Sequence, residues 1–262
     1  VSRRAQRPLF PGGAAALRGL AVPSTLFAFD LDGTLAPIVA APSEARVPEA
    51  VRGRMADLCR LARVAVLTGR SVRDAARRLG FSPHVLVGNH GAEGTPSALA
   101  REGRFTELAR RWEEQLAGAL PEALRGGVEV ENKGPSLAVH YRGAPDPAAA
   151  REAILLAADR LVPEPRRIPG IFVVNLLPAD APLKGEALVE LLDGCGAPRA
   201  LYVGDDETDE EVFRLPGGTV LGVRVGCSPG SRAEWCLEGQ EEVGRLLYEI
   251  LALLRARRRT GE

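Results

Sequence analysis

Short apolar runs alternate with helically spaced segments through the first third of the chain. Residues 26–30 (LFAFD), 64–67 (VAVL) and 85–87 are continuous apolar runs of strand length. Residues 48–62 and 73–79 instead carry their apolar positions at helical intervals. Strands alternating with helices predict βαβ units and a parallel sheet. The grammar then changes. Residues 99–120 read as one long helix rich in Arg and Glu, and residues 128–132 and 137–142 as an antiparallel hairpin around a Lys-Gly-Pro-Ser turn. A helix over 147–161, opened by Asp146 and Pro147, leads to a strand over 171–177. After residue 182 the βα alternation returns: helix 185–192, strand 200–203, helix 207–215, strand 219–225 and a closing helix 241–257. The predicted fold is α/β, a Rossmann-like parallel-sheet core over residues 1–95 and 182–262, interrupted by an α+β insert over 96–181.

Composition narrows the function. With 262 residues, 45% of them apolar, there is ample core to bury, and 34 basic against 34 acidic residues leave no net charge. That balance supplies no basic footprint for nucleic acid or anionic lipid. No apolar run approaches the roughly 20 residues of a membrane helix. The early Ala/Leu stretch is interrupted by Arg18, Gly19 and Pro23, unlike a signal peptide. The expectation is a cytoplasmic monomer. Cys59, Cys195, Cys227 and Cys236 form no C-x-x-C pair, so they read as small buried apolar residues in a reducing compartment, without zinc or disulfide. Only Lys133 and Lys184 among the basic residues are lysines. A chain that uses Arg on its solvated faces keeps Lys where a compact ammonium is wanted. His84, Trp112 and Trp235 are assigned to structure.

The sharpest chemical signal is the run FAFDLDGTL at residues 27–35. Asp30 ends an apolar strand, where an unpartnered carboxylate is costly, and Asp32 follows with Gly33 and Thr34. Ligands of open α/β sheets bind beyond the carboxyl ends of the strands. Two acids and a tight turn with exposed amides there suit a phosphoryl group and a divalent cation. The carboxylates crowded into Gly204-Asp205-Asp206-Glu207-Thr208-Asp209-Glu210 repel one another and likewise ask for a cation.

These runs, with Thr68-Gly69-Arg70 after the second strand and Lys184 opening a helix after the insert, resemble the four motifs of the haloacid dehalogenase-type phosphohydrolases. The resemblance implies Asp30 as nucleophile, Asp32 as general acid and base, and Thr68 and Lys184 on the transferring phosphoryl group. It implies a Mg²⁺ site of Asp30, Asp205 and the main-chain carbonyl of Asp32, with Asp206 and Asp209 behind it. The insert's E-x-K-x-x-S-L-A-V-H-Y-R hairpin (Glu131 to Arg142), the V-G-N-H-G run at 87–91 and the D-E-T-D-E variant resemble the trehalose-6-phosphate phosphatases. By that likeness the insert is a cap. Gly69, Arg70, His90, Glu131, Lys133, His140, Arg142 and Asn175 are then the substrate-binding residues, Glu131 and Lys133 on the distal glucose. One departure stands out: Asn175 and Leu177 occupy the places of the family's usual acidic and basic residues. The expected activity is Mg²⁺-dependent hydrolysis of trehalose 6-phosphate through an aspartyl-phosphate, with a synthase partner left open. The alternatives are the same chemistry on sucrose phosphate or a glycosyl-glycerate phosphate, or a catalytically silent sugar-phosphate-binding module.

Overall fold

The computed structural model describes residues 6–124 and 126–260, so the ends of the expected core, residues 1–5 and 261–262, lie outside the described residues. The chain divides into two compact units, Val1–Gly91 with Leu183–Glu262, and Ala92–Pro182.

Among the described residues, the first unit holds β1 (Arg7–Pro8), β2 (Leu26–Phe29), β3 (Arg63–Leu67) and β4 (Val85–Val87). The second holds β5 (Glu129–Asn132), β6 (Leu137–His140), β7 (Arg166–Gly170) and β8 (Val173–Leu177). Back in the first unit are β9 (Ala200–Gly204), β10 (Val220–Val225) and β11 (Trp235–Leu237). The order β1-β11-β10-β9-β2-β3-β4 makes one sheet, parallel throughout. Its central strands are buried on both faces, which is why they read as unbroken apolar runs. Phe27, Phe29, Val64 and Val66 point into a core shared with the helices Glu49–Leu61 and Val243–Thr260. Leu26, Ala28, Ala65 and Leu67 point into another with the helix Lys184–Cys195.

The second unit is an antiparallel sheet, order β5-β6-β8-β7. Leu137, Val139, Val174 and Leu176 pack on Trp112, Leu116, Ile154 and Ala157 of the helices Glu102–Ala119 and Pro147–Ala158. Alternation sends Glu129, Glu131, His140 and Asn175 to the opposite face.

Several elements differ from the sequence expectation. The long helix is two, Pro96–Leu99 and Glu102–Ala119. The helix expected over 207–215 is only Glu210–Phe213, because Asp206 Oδ1 takes the Thr208 and Asp209 amides and holds that stretch as a turn. β7 contains Pro169, which hides it in the sequence and is tolerated because β7 is an edge strand. β1, β11 and the helix Ala14–Leu20 also lack a readable pattern.

The cysteine reading is corrected. Cys227 and Cys236 form a disulfide with Cα atoms 5.2 Å apart, and Cys227 is exposed. Cys59 and Cys195 are half-buried thiols. A loop leaving β10 returns along neighbouring β11, so the parallel register, not a C-x-x-C spacing, brings the pair together. The cysteine argument for a reducing compartment falls with it. Trp112 and Trp235 are buried as expected, and His84 Nδ1 accepts the Val64 N–H at 3.2 Å. No helix among the described residues is long and apolar enough to cross a membrane.

Candidate active site

From β2 the chain proceeds to β3 and β4 on one side, while β9, β10 and β11 lie on the other, so the end of β2 is a topological switch point. Asp30 is the first residue past β2, Thr68 past β3 and Asp205 past β9. The sheet therefore gathers three of the sequence motifs at adjacent strand ends.

Lys184, first residue of its helix, completes the group. Its ammonium donates to Asp30 Oδ1 at 2.7 Å and Asp209 Oδ1 at 2.8 Å, with 2% of the lysine side chain exposed and none of Asp209. Asp209 Oδ1 also accepts the Tyr202 hydroxyl at 2.5 Å. Its Oδ2 accepts the amides of Asp205 and Asp206 at 2.8 and 3.0 Å. With four donors on two oxygens, Asp209 organises the loop and holds the lysine. Asp206 is similarly turned inward, onto the amide and hydroxyl of Thr208.

The charges press on one another. Burial pushes the Asp30 carboxyl well above the ordinary carboxylate range, against the pull of Lys184. Burial alone favours a neutral Lys184, but Asp209 and Asp30 outweigh it and hold the ammonium. Asp205 is pushed up to about 7, first by burial, then by Asp209 and Asp206. Burial works on Asp206 too, yet Lys184 and the Thr208 hydrogen bond bring it below its ordinary value. A cation beside Asp30 and Asp205 would relieve this crowding. Asp30, Asp205 and Asp209 each offer a carboxylate oxygen, all within 4.8 Å of one another. Since Asp209 is already filled by donors, Asp30 and Asp205 are its available members. The loop geometry fits such a site: Gly33 has φ +84°, and a Cβ there would stand 2.0 Å from Asp205 Oδ2. Thr34 donates to Asp205 Oδ1 at 3.1 Å. The donor set is all oxygen, suited to a hard cation.

Thr68 is buried, and its hydroxyl accepts the Arg70 amide at 3.2 Å. This loop is laced to the next one, with Asn89 N–H on Arg70 O at 2.7 Å and His90 N–H on Thr68 O at 3.0 Å. Both Asn89 (φ 49°) and His90 (φ 58°) are left-handed, a strain of the kind that clusters at functional sites. The imidazole lies so close to Gly69 that a Cβ there would be 2.4 Å from His90 Cε1. His90 thus stands behind the Thr68 loop.

Arg70 is committed within the core unit. Nε and Nη2 fork onto Asp32 Oδ2 and Oδ1 at 2.6 and 2.7 Å, and Nη1 reaches Asp74 Oδ2 at 2.8 Å. Asp74, Arg78 and Tyr202 are site neighbours that motif reading missed, and Thr34, named in the first motif, gains its partner Asp205 only here. Asp74 lies four residues after Arg70 and four before Arg78, a helical ion-pair spacing that could have been read. For Tyr202 no signal was available.

In the second unit, the face of the sheet turned away from its helices brings the expected sugar residues into two pairs. His140 Nε2 and Glu131 Oε2 are 2.9 Å apart, and Lys133 Nζ donates to Asn175 Oδ1 at 3.4 Å. Arg142 is not in either pair, its guanidinium lying 4.7 Å from the Phe172 ring centre.

The chain is similar in fold and in sequence to known proteins. Solved structures of a trehalose-6-phosphate phosphatase related protein (TM-score 0.69, 22% identical, covering 89% of this chain and all of that one) and of the sucrose-phosphatase from Synechocystis (TM-score 0.57, 18% identical, covering 88% and 98%) share the fold. A "Trehalose-phosphate phosphatase" of Mycobacterium avium (strain 104) is 36% identical over 209 residues, 75% of this chain and 53% of that protein. The chain thus spans about half the length of that relative. A "Probable trehalose-phosphate phosphatase" of Sinorhizobium fredii is 34% identical over 240 residues, 86% of each. The family model described as trehalose-phosphatase matches residues 28–233, from the strand that carries Asp30 to past the loop that carries Asp209. With its motif residues gathered at one switch point and residues 28–233 matched by that model, this chain belongs to the trehalose-phosphatase family.

Proposed function

We propose that the protein is a Mg²⁺-dependent phosphatase that hydrolyses trehalose 6-phosphate to trehalose and inorganic phosphate through a phosphoaspartate. One observation carries the reading: a buried carboxylate, Asp30, at the end of the central strand, held 2.7 Å from a buried lysine that a second carboxylate fixes. A structural ion pair has no need of a third acid, Asp205, crowded beside it.

In the first step an Asp30 oxygen attacks phosphorus and the bond from phosphorus to the sugar oxygen breaks. The leaving oxygen keeps the electron pair and takes a proton from Asp32. In the second, water attacks the phosphorus, gives its proton to Asp32, and the bond to Asp30 breaks to release phosphate. Lys184 and Thr68 take the phosphoryl oxygens, whose charge must be balanced in the transition state. Asp30, Asp205 and the Asp32 main-chain carbonyl would hold Mg²⁺, whose charge when bound lets Asp30 remain ionised beside a phosphate dianion. Gly69, Arg70 and His90 shape this end of the site.

The second unit, Ala92–Pro182, is the cap expected over residues 96–181, and its polar face selects the sugar. Glu131, Lys133, His140 and Asn175 are groups that a disaccharide's hydroxyls can satisfy, with Arg142 at their margin. The substitution of Asn175 and Leu177 for charged residues favours a second reading, in which another sugar phosphate is preferred. The proposed compartment is the cytoplasm, because a charged sugar phosphate does not cross a bilayer unaided. Phosphate release across a panel of sugar phosphates tests the reading. The expected result is the highest kcat/KM on trehalose 6-phosphate, lost on chelation. Preference for sucrose phosphate or a glycosyl-glycerate phosphate selects the second reading, and no release from any ester leaves a binding module.

A further inference from the structure

The helix Val72–Leu79 carries an ion-pair chain that the proposed chemistry does not use. Asp74 receives Arg78 on both oxygens, Nε on Oδ2 at 2.7 Å and Nη2 on Oδ1 at 2.8 Å, together with Arg70 Nη1. Its own amide is capped by Ser71 Oγ at 3.2 Å. Both guanidinium groups also grip the preceding loop, Arg70 Nη2 on Pro42 O at 3.0 Å and Arg78 Nη1 on Ser43 O at 2.7 Å. The side chains of Arg70, Asp74 and Arg78 are 15, 20 and 11% exposed, so solvent screens these pairs less than ordinary surface ones.

A guanidinium is planar and rigid, so the group that fixes one edge aims the other. Asp74 holds the Nη1 edge of Arg70, and the opposite edge presents Nε and Nη2 to the two oxygens of Asp32. We propose that Asp74, acting through Arg70, is a positioning residue for Asp32, setting where that carboxyl stands and how readily one of its oxygens leaves the fork. The inference rests on the proton-transfer role given to Asp32 above. To donate or take a proton, Asp32 must free one oxygen from Arg70. While Asp74 draws on the same guanidinium, Arg70 divides its charge between two carboxylates. Without that second anion, Asp32 carries the whole of it and is held too tightly to turn toward the leaving oxygen.

The test compares two leaving groups on Asp74→Asn, which keeps the size and hydrogen-bonding oxygen but loses the charge. A sugar alkoxide needs a proton to depart, whereas p-nitrophenolate does not. Single-turnover release of sugar from trehalose 6-phosphate should slow at least tenfold with KM within threefold of wild type. The burst of p-nitrophenolate from p-nitrophenyl phosphate should stay within threefold, and Asp74→Glu should restore sugar release to within threefold. Equal change in both steps, whether a loss or none, overturns the assignment and leaves Asp74 a structural ion-pair partner. Should Asp74→Asn fail to fold, Asp74→Gln, the uncharged counterpart of Asp74→Glu, must show the same split or the inference is wrong. A wild-type protein that releases neither product refutes the phosphatase reading itself, a different outcome from either.

Discussion

The two units handle charge in opposite ways. In the first, Asp30, Lys184 and Asp209 are almost wholly withdrawn from water and joined in one network, in which Asp209 alone takes four donors. In the second, the Glu131 and His140 side chains meet at 2.9 Å while remaining 46 and 34% exposed. Desolvated charges are strong and rigid, suited to a reaction in which charge moves over a fraction of an ångström. Half-exposed ones exchange a neighbour for a hydroxyl at little cost, which suits selection among sugars. Removing one of these buried charges of the first unit should therefore be ruinous, and removing a charge from the sugar-facing pairs of the second should be selective.

The largest expected effect is Asp30→Asn, which should lower turnover by about 10³-fold or more, since an amide is not a nucleophile here. Phosphate release and labelling of the intermediate measure it. Activity within about tenfold of wild type, roughly 1.4 kcal/mol in barrier, rules Asp30 out. Exhaustive chelation comes next. EDTA should abolish activity, Mg²⁺ should restore it, and Asp205→Ala should leave little for Mg²⁺ to rescue. Full activity in the chelated enzyme means that the carboxylates serve another purpose.

On the second unit the effects should be smaller and confined to the sugar. Lys133→Ala and Glu131→Ala should each reduce kcat/KM for trehalose 6-phosphate by roughly ten- to hundredfold, the loss of one charge-assisted hydrogen bond of about 1.5–3 kcal/mol. Hydrolysis of p-nitrophenyl phosphate should hardly change. Equal losses on both substrates would erase the contrast between the units.

The smallest effect concerns stability. Burial works against ionisation of Asp74, but Arg78 and Arg70 hold it well below the ordinary carboxylate range. A depressed folded-state value stabilises the fold above the unfolded value, about 3.9, and the gain is lost as pH falls through the folded one. Asp74→Ala should thus lower the unfolding free energy by on the order of 1–2 kcal/mol at pH 7. Denaturant titrations should show that gap constant down to about pH 5 and narrowing below pH 4. A gap that widens in acid would reverse the sign assigned to Asp74.

What the chain order alone determined is local in origin. The buried strands are legible because a parallel sheet covered on both faces needs unbroken apolar runs, and each motif is legible because its residues leave one strand end together. Asp30 and Asp205 stand out without coordinates for that reason, whereas Thr68 and Lys184 take their roles only from the family resemblance. Tertiary structure decided whatever depends on residues far apart in the chain or on a single side-chain orientation. Cys227 meets Cys236 because neighbouring parallel strands set their register, and β7 accepts Pro169 because it lies at an edge. Tyr202 finds Asp209 because the strand and the following turn fold one onto the other. Arg70 faces Asp32 rather than standing free, because a long side chain goes to the nearest partly buried carboxylates. Composition and spacing do not encode such choices; they follow from which charges the fold takes out of water together.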